Sequence, residues 1–476
     1  MPTSPNTTAR PPSAHLLQRF DVNGPRYTSY PTADRFVEAF TEQDYLRALC
    51  QRQAGTGTAN RPLSIYVHVP FCESLCYYCA CNKVITKHHE RADEYLDYLA
   101  KELDLITGQF QTSAQTGVTE KPQVSQLHLG GGSPTFLDDR QLSRLMELLQ
   151  QHFRFTKAAE CSIEVDPRTI DTRRLAHLRA LGFNRISLGV QDFDTEVQKA
   201  VHRIQSTEQV FELVAAARQL GFDSVNVDLI YGLPRQTPAS FATTLEQVCA
   251  LRPDRIALYA YAHLPERFKP QRRIDALALP KAADKVGMLA QALEAFNNAG
   301  YVDIGMDHFA LPQDSLAQAK RSGLLHRNFQ GYSTQADTDL IGLGVSAISK
   351  VGPTYSQNDR QLANYYDTLD HGRLPIIHGL ALSKDDLMRR SIIMALMCQG
   401  LVSFESIELS YLIDFRTEFA QELAVLANYE ANGLVHINDQ SIEVTELGWT
   451  FVRGIAMVFD RYLQSDRNRA RFSKIL

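Results

Sequence analysis

Four of the eight cysteines, Cys72, Cys76, Cys79 and Cys81, lie within one stretch of ten residues, and such a cluster indicates metal binding. The C-x3-C-x2-C spacing of the first three lets one short loop present three thiolates to three irons of a [4Fe-4S] cubane. The fourth iron then keeps an open position for a small molecule, as catalytic zinc sites do. A structural zinc site is the alternative, but such sites usually use two separated cysteine pairs, and the sequence has no second pair. The role of Cys81 stays open between a thiol beside the cluster, a substrate contact and a structural residue.

A run of glycines lies further along the chain, within residues 129–135 (LGGGSPT). Glycine lets a backbone approach a ligand closely because it has no Cβ. Alone, such a run marks a loop before a helix as often as it marks a binding site. Its position after a predicted strand and downstream of the cysteines favours a binding site.

Short apolar strands alternate with amphipathic helical patterns from about residue 62 to residue 350. The predicted helices include residues 92–106 and 140–153. The predicted strands cover residues 64–69, 126–129, 162–165, 185–189, 224–230, 255–260 and 301–305. This alternation predicts an α/β fold with a parallel sheet, closed or partly closed into a (βα) barrel, whose ligands gather at the carboxyl ends of the strands.

Chemistry-bearing residues follow these strands at the predicted carboxyl ends. The cysteine loop comes directly after the first strand, and Glu164, Gln191 and Asp228 lie at or near the ends of later strands. A carboxylate such as Glu164 suits a pair of ribose hydroxyls. Each residue taken singly could be a buried polar group satisfied by the backbone. Their recurrence on successive strands favours a shared pocket.

Three regions differ in pattern along the chain. Residues 1–60 are predicted to form an N-terminal arm and helix, and residues 61–375 the barrel. Residues 376–476 are predicted to be mainly helical with a two-stranded ribbon, which resembles a winged-helix domain and says little about function.

The composition excludes some classes of partner. A formal net charge of -5 gives no basic excess for general nucleic-acid binding. The first twenty residues contain no apolar segment of a signal peptide, and no window is long and apolar enough to cross a bilayer. The expected location is the cytoplasm.

The cysteine spacing and the glycine run together resemble the radical S-adenosylmethionine (radical SAM) superfamily. Further segments resemble the oxygen-independent coproporphyrinogen III oxidase (dehydrogenase) family over nearly the whole chain. They are residues 24–31 (GPRYTSYP), 163–168 (IEVDPR), 231–234 (YGLP), 305–310 (GMDHFA) and 326–332 (HRNFQGY). The resemblance implies a partial, TIM-like (βα) barrel of the radical SAM type.

The resemblance also implies the ligands of two cofactors. Cys72, Cys76 and Cys79 would hold the [4Fe-4S] cluster, with two S-adenosylmethionine molecules nearby. The positions for the first molecule are Tyr66, Gly131, Glu164 and Ile348, and those for the second are Tyr78, Gly132, Ser133, Gln191, Arg203, Asp228 and Ala262. Ser133 stands where the family often has Thr, and Ala80 where it usually has Gly, and neither departure removes a ligand.

The implied activity converts coproporphyrinogen III to protoporphyrinogen IX in haem biosynthesis without O2. A 5′-deoxyadenosyl radical takes a hydrogen from a propionate, and loss of CO2 and an electron leaves a vinyl group. Because four propionates make the substrate anionic, arginines are expected around it, and motif position favours Arg26 and Arg327. Together with Cys81 these are the candidate catalytic residues. The expected partner is a small electron-donor protein such as flavodoxin, and the expected state is a monomer.

Two rivals differ in specific features. Related haem chaperones share the cluster loop and the barrel but generally lack the fourth cysteine and the tyrosine-rich arm, and both Cys81 and residues 25–31 are present here. A zinc-stabilised binding protein with a winged-helix module leaves the glycine run and the polar residues at the strand ends unexplained.

Overall fold

The computed structural model describes residues 16, 19–20, 22–55, 61–112, 121–335 and 338–465. The composition of the first twenty residues predicts disorder, and most of that segment lies outside these ranges. The described chain forms two compact units. The barrel unit contains residues 33–280 and 335–383, and the composite unit contains the described residues up to 32 together with 281–334 and 384–465. The predicted domain limits, at residues 60/61 and 375/376, stay predictions.

The strands are numbered in chain order. They are β1 (Leu63–Val69), β2 (Phe71–Cys72), β3 (Val84–Ile85), β4 (Gln123–Gly131), β5 (Arg154–Val165), β6 (Arg185–Gln191), β7 (Ser224–Tyr231), β8 (Arg255–Ala260), β9 (Val302–Gly305), β10 (His308–Ala310), β11 (His326–Asn328), β12 (Gly331–Ser333), β13 (Leu340–Leu343), β14 (Ile348–Val351), β15 (Thr354–Asn358), β16 (Ile376–Ala381), β17 (Leu401–Ser403), β18 (Val435–Ile437) and β19 (Ser441–Val444).

The α-helices are numbered in the same way. They are α1 (Glu42–Ala54), α2 (Glu90–Thr112), α3 (Asp139–His152), α4 (Thr172–Ala180), α5 (Thr195–Ala200), α6 (Thr207–Gln219), α7 (Pro238–Leu251), α8 (Ala282–Asn298), α9 (Ser315–Arg321), α10 (Leu362–Asp370), α11 (Lys384–Gln399), α12 (Phe404–Tyr411), α13 (Phe415–Glu418), α14 (Ala420–Glu430), α15 (Val452–Met457) and α16 (Arg461–Ser465).

The sheet of the barrel unit is parallel in its larger part. Its strand order is β16-β15-β14-β13-β1-β4-β5-β6-β7-β8, with parallel pairing from β13 to β8 and antiparallel pairing from β13 to β16. Helices α2 to α7 connect successive parallel strands, as crossover connections require. The predicted α/β fold with a partial (βα) barrel is confirmed.

The first strand shows why the parallel strands could be recognised. Leu63, Ile65, Val67 and Val69 have no exposed area, and Ser64 is also buried, because both faces of a parallel sheet are covered. Six predicted strands appear in the sheet as β1 and β4 to β8, extended by up to eight residues at one end. The sequence did not predict β13, which pairs with β1.

Helix α3 illustrates how local signals set the helix bounds. Asp138 caps its start by accepting a hydrogen bond from the backbone N–H of Gln141. Leu142, Leu145 and Leu149 form the buried face that the sequence predicted for residues 140–153.

The composite unit combines segments that are far apart in the chain. The predicted strand at residues 301–305 forms β9, which pairs antiparallel with β10. The C-terminal part contains α11 to α16 and the antiparallel sheet β17-β19-β18, a winged-helix-like arrangement that confirms the predicted helices and ribbon and adds β17 as a third strand. Its apolar core takes in Tyr27 and Tyr30 of the N-terminal arm, which are fully buried there.

Within the described part of the chain, no helix has the length and apolarity to cross a membrane.

Candidate functional site

The cysteine loop joins β1 to β3 and is closed by backbone hydrogen bonds. Strands β2 and β3 pair in parallel, the N–H of Val84 donates to Pro70 O at 2.7 Å, and the N–H of Thr86 donates to Cys72 O at 3.0 Å. Residues 72–83 therefore form a loop with its two ends held together at the carboxyl end of β1.

The middle of the loop is also anchored. The N–H of Tyr77 donates to Val201 O at 3.0 Å, and the His202 ring stacks on the Tyr77 ring with centroids 5.1 Å apart. Lys83 Nζ donates to the carbonyl oxygens of Cys79 and Cys81, at 3.3 and 3.2 Å. These contacts fix the backbone that carries the thiols.

The thiols lie close enough to influence one another. Burial, followed by the neighbouring thiolates of Cys79 and Cys76, raises the pKa of Cys72 to about 12. A hydrogen bond from the thiol of Cys81 lowers the pKa of Cys79 to about 6, against the effect of burial. Three thiolates in one small volume repel each other, and iron ions between them would remove that repulsion.

The thiols suit an iron-sulfur cluster in their chemistry. All eight cysteines are free, which leaves these four available as soft ligands. The described residues contain no trio of His, Cys, Asp or Glu gathered around the position of a single metal ion. A cubane does not require three ligands around one metal ion, because each thiolate binds a different iron.

Two arginines, the buried Arg203 and the partly buried Arg168, face Cys76. Arg168 Nη2 and Arg203 Nη1 donate to Cys76 Sγ at 3.6 and 3.5 Å. Both also bind Asp166 Oδ2, at 2.6 and 3.1 Å. Although burial raises it, these two arginines lower the pKa of Asp166 to about 2. Positive charge beside the thiols stabilises thiolate and any anionic group bound nearby.

The glycine run packs directly on the cysteine loop. The N–H of Gly132 donates to Val69 O and the N–H of Ser133 to Phe71 O, both at 2.8 Å. A Cβ on Gly132 would lie 2.7 Å from Phe71 O, and one on Gly131, whose φ is +113°, would lie 2.7 Å from the His68 ring. The glycines are therefore required for this approach of the two segments.

Glu164 lies against the same glycine run at the end of β5. Its Oε2 accepts a hydrogen bond from the N–H of Gly131 at 3.2 Å, and its Oε1 lies 3.3 Å from His128 Nε2. The side chain remains 43% exposed, so the carboxylate has capacity for a ligand.

Tyr66 connects this carboxylate to the cysteine loop. Its ring stacks on His128, and its hydroxyl lies 3.1 Å from Nδ1 of His68. The other ring nitrogen of His68 donates to Asn82 O of the loop at 2.9 Å, so Nδ1 is the acceptor for the tyrosine. Burial, followed by the Glu164 charge, raises the pKa of Tyr66 well above its ordinary value.

Gln191 ends β6, and Asp228 lies within the neighbouring strand β7. Asp228 accepts hydrogen bonds from Ser187 Oγ and Asn226 Nδ2, and burial followed by the Glu164 charge raises its pKa to about 6. Gln191 adopts a left-handed backbone with a φ of +68°, which few residues other than glycine do. The adjacent Gly189 O accepts from Arg203 Nε at 3.1 Å, which links β6 to the arginines beside Cys76.

The remaining predicted residues of the barrel unit lie on separate segments. Gln271 Nε2 donates to the carbonyl oxygens of Tyr78 and Ala262, both at 3.2 Å, and so joins these two positions. Ile348 begins β14 and pairs with Gln357 of β15.

Several polar residues of this region escaped the sequence analysis. Asp166 and Arg168 lie in the IEVDPR segment, so proximity to Glu164 was an available signal. His68 and His128 lie inside strands, where the alternation of side chains indicates only that a residue is buried and does not mark it as part of a site. Gln271 lies in a short 3-10 helix that no motif marks.

Arg26 and Arg327 belong to the composite unit. Arg26 Nη1 lies 2.7 Å from Asp307 Oδ2 in an ion pair. Arg327 donates from Nε to the backbone oxygen of Arg26 at 3.4 Å and lies over the ring of Tyr332. The structure therefore brings together the two arginines that the sequence analysis selected by motif position.

Comparisons with known proteins cover the whole architecture. Residues 66–248 match the family description "Radical SAM superfamily", and residues 382–451 match "HemN C-terminal domain". The chain is 49% identical over 466 residues to the oxygen-independent coproporphyrinogen III oxidase of Pseudomonas aeruginosa, covering 97% of this chain and 98% of that protein. It is 47% identical over 465 residues to the Escherichia coli protein of the same name, with the same coverage.

A solved structure is similar over nearly its full length. It is that of the coproporphyrinogen III oxidase HemN from Escherichia coli, described as a radical SAM enzyme. The TM-score is 0.88 at 47% sequence identity, covering 94% of this chain and 99% of that chain.

Proposed function

The chain belongs to the family of oxygen-independent coproporphyrinogen III oxidases, and we propose that its barrel unit holds a [4Fe-4S] cluster on Cys72, Cys76 and Cys79. Its activity is that of a radical SAM oxidoreductase of haem biosynthesis. Two propionates of coproporphyrinogen III each lose a hydrogen atom to a 5′-deoxyadenosyl radical, one electron to an acceptor, and CO2, which yields the two vinyl groups of protoporphyrinogen IX.

The packing of the glycine run on the cysteine loop is the observation that supports this assignment most directly. The hydrogen bonds from Gly132 to Val69 and from Ser133 to Phe71 hold a ligand-binding backbone beside the three thiols. A structural zinc site needs no such neighbour, whereas an open iron with a small-molecule ligand does.

When bound, the cluster and S-adenosylmethionine supply the carbon-centred radical that removes the hydrogen atom. The chain orients the cofactor and stabilises charge. Tyr66, Gly131, Glu164 and Ile348 are proposed for a first S-adenosylmethionine, with Glu164 accepting from the ribose hydroxyls through its exposed carboxylate.

A second S-adenosylmethionine is proposed at seven further positions, of which Arg203 and Asp228 are charged. Buried Arg203 would stabilise the carboxylate of the methionine group, and Asp228 would accept hydrogen bonds. The other positions are Tyr78, Gly132, Ser133, Gln191 and Ala262. Cys81 is proposed to act beside the cluster without binding iron, and Arg26 and Arg327 to bind substrate.

We also propose an electron donor, an oligomeric state and a cellular location for the enzyme. A small electron-donor protein such as flavodoxin would reduce the cluster, and the enzyme would act as a monomer. We propose the cytoplasm as its location because the cluster thiols require a reducing compartment.

An anaerobic assay of the reconstituted protein tests the function. It contains reductant, S-adenosylmethionine and coproporphyrinogen III, and we expect protoporphyrinogen IX together with 5′-deoxyadenosine. Cys72→Ser, Cys76→Ser or Cys79→Ser should abolish both the cluster absorbance and cofactor cleavage.

A matched cysteine control is available in Cys161, which is buried in β5. Cys161→Ser should retain iron. Cofactor cleavage without decarboxylation, accompanied by tight haem binding, would assign the protein to the haem chaperones and refute the proposal.

A further inference from the structure

Three arginines of the composite unit lie close to one another and to one carboxylate. Arg26 forms an ion pair with Asp307, and Arg327 donates to the backbone oxygen of Arg26. Arg453, from α15, donates through Nη2 to the backbone oxygen of Gly24, two residues before Arg26. Residues from the N-terminal arm, from 281–334 and from the C-terminal helices thus meet at one place.

This group, which we call the arginine cluster (Arg26, Arg327, Arg453 and Asp307), carries excess positive charge. Three guanidinium groups and one carboxylate leave a net charge of +2. Burial, followed by repulsion from Arg26, lowers the pKa of Arg453 to about 10, with a further contribution from Arg327. Asp303 and Lys320 lie nearby and carry opposite charges. This pair therefore leaves the net charge of the arginine cluster unchanged.

Arg327 has a buried donor without a hydrogen-bond partner in the described part of the chain. Arg327 is 7% exposed, and its Nη1 has no hydrogen-bond partner among the residues that the structure describes. A buried charged donor without an acceptor costs free energy. An added carboxylate would satisfy this donor and reduce the positive charge together.

We propose that the arginine cluster is a carboxylate-binding site that takes one propionate of the porphyrinogen substrate, with Arg327 as the direct donor and Arg453 as a positioning residue. This inference rests on the proposed function for the identity of the ligand. Arg453 holds the segment that carries Arg26, and Asp307 holds the Arg26 side chain.

The substrate is favoured over S-adenosylmethionine as the source of the carboxylate. The residues proposed for both S-adenosylmethionine molecules belong to the barrel unit, whereas the whole arginine cluster belongs to the composite unit. Two of the four propionates survive the reaction and therefore need binding groups that perform no chemistry on them.

Binding of coproporphyrin III, the oxidised tetracarboxylate, to the cluster-loaded enzyme tests the site without turnover. Fluorescence titration of the Arg327→Gln variant should give a dissociation constant roughly 10- to 100-fold larger than wild type, as expected for a lost charge-assisted hydrogen bond. Arg453→Gln should also raise the dissociation constant, because the segment that carries Arg26 loses its support. Arg327→Lys should restore part of the affinity. Arg416→Gln removes an exposed arginine of the same unit and should change the constant less than about threefold.

An Asp307→Asn variant separates a binding site from a purely structural cluster. Removal of the resident carboxylate raises the net charge to +3, so coproporphyrin III should bind as tightly as to wild type or up to roughly tenfold more tightly. Weaker binding by this variant, or unchanged binding by Arg327→Gln, would overturn the proposal. Weaker binding of S-adenosylmethionine alone by Arg327→Gln would also overturn it.

These outcomes differ from failure of the proposed function. A wild-type enzyme that forms protoporphyrinogen IX while Arg327→Gln binds coproporphyrin III normally would refute only the carboxylate site. A wild-type enzyme that binds coproporphyrin III through Arg327 without decarboxylating coproporphyrinogen III would refute only the function.

Discussion

Replacement of Gly132 by alanine should separate the glycine run from the cysteine loop. The added Cβ would lie 2.7 Å from Phe71 O and 2.8 Å from both Pro70 C and Pro70 O, where ordinary contacts begin at 3.4 Å. All three atoms belong to the backbone, so no side-chain rotation can relieve the overlap. One segment must therefore move by about 0.7 Å, the gap between these distances.

Such a shift should affect cofactor cleavage more than stability. A misplacement approaching 1 Å at a reacting centre can reduce a rate by about a hundredfold, so we expect Gly132→Ala to cleave S-adenosylmethionine about 10- to 100-fold more slowly. The strain should lower the free energy of unfolding by about 1–3 kcal/mol. Release of 5′-deoxyadenosine under anaerobic reduction measures the first effect, and denaturant unfolding measures the second.

Gly108→Ala provides the matched control. Gly108 lies inside helix α2, and a Cβ there would have no heavy atom within 4 Å. Alanine should stabilise the helix by about 0.5–1 kcal/mol and leave cofactor cleavage unchanged. If Gly132→Ala cleaved S-adenosylmethionine at the wild-type rate, the contact between the two segments would have no part in cofactor binding.

Three further predictions concern charge and thiol chemistry. Asp166→Asn leaves the buried Arg203 and the partly buried Arg168 without their carboxylate and should lower the free energy of unfolding by about 3–5 kcal/mol in denaturant titrations. Asp97→Asn, at an exposed ion pair, should lower it by less than about 1 kcal/mol. Burial raises the pKa of Glu102 from 4.5 to about 7, so its stabilising contribution is complete below pH 4.5 and is lost as the pH rises through 7. The resulting fall of roughly 3 kcal/mol in the free energy of unfolding should be absent from Glu102→Gln. Cys81→Ser should keep its iron by chemical analysis, and loss of iron would mean that four thiolates bind the cluster.

The sequence predicted the parts of the fold that repeat a simple pattern. Six parallel strands were recognisable because burial on both faces makes them rich in apolar residues, as Leu63, Ile65, Val67 and Val69 of β1 show. The cysteine loop and the glycine run were recognisable because their residue types are rare in such spacing. The sequence placed the cysteine loop and the glycine run at the same edge of the sheet. It did not predict their direct contact through the hydrogen bonds of Gly132 and Ser133.

Contacts between distant residues were not predictable from local patterns. Gln271 joins Tyr78 and Ala262, which lie about 180 residues apart, and nothing near residue 271 marks that role. The pairing of Asp166 with Arg203 depends on neighbouring strands coming together. Strand β13 is only four residues long, and its pairing with β1 joins residues that are far apart in the chain, so no local pattern marks it.

The three-segment construction of the composite unit affects the synthesis of the protein on the ribosome. Tyr27 donates a hydrogen bond to Asp460, which lies 433 residues further along the chain. Gly24 accepts a hydrogen bond from Arg453, which lies 429 residues further along. At about 5–20 residues per second, the N-terminal arm spends roughly 20–90 seconds without its native contacts. During that interval its buried tyrosines, Tyr27 and Tyr30, are exposed to chaperones and proteases. A nascent chain that stalls before residue 453 therefore lacks the arginine cluster, however well its barrel has folded.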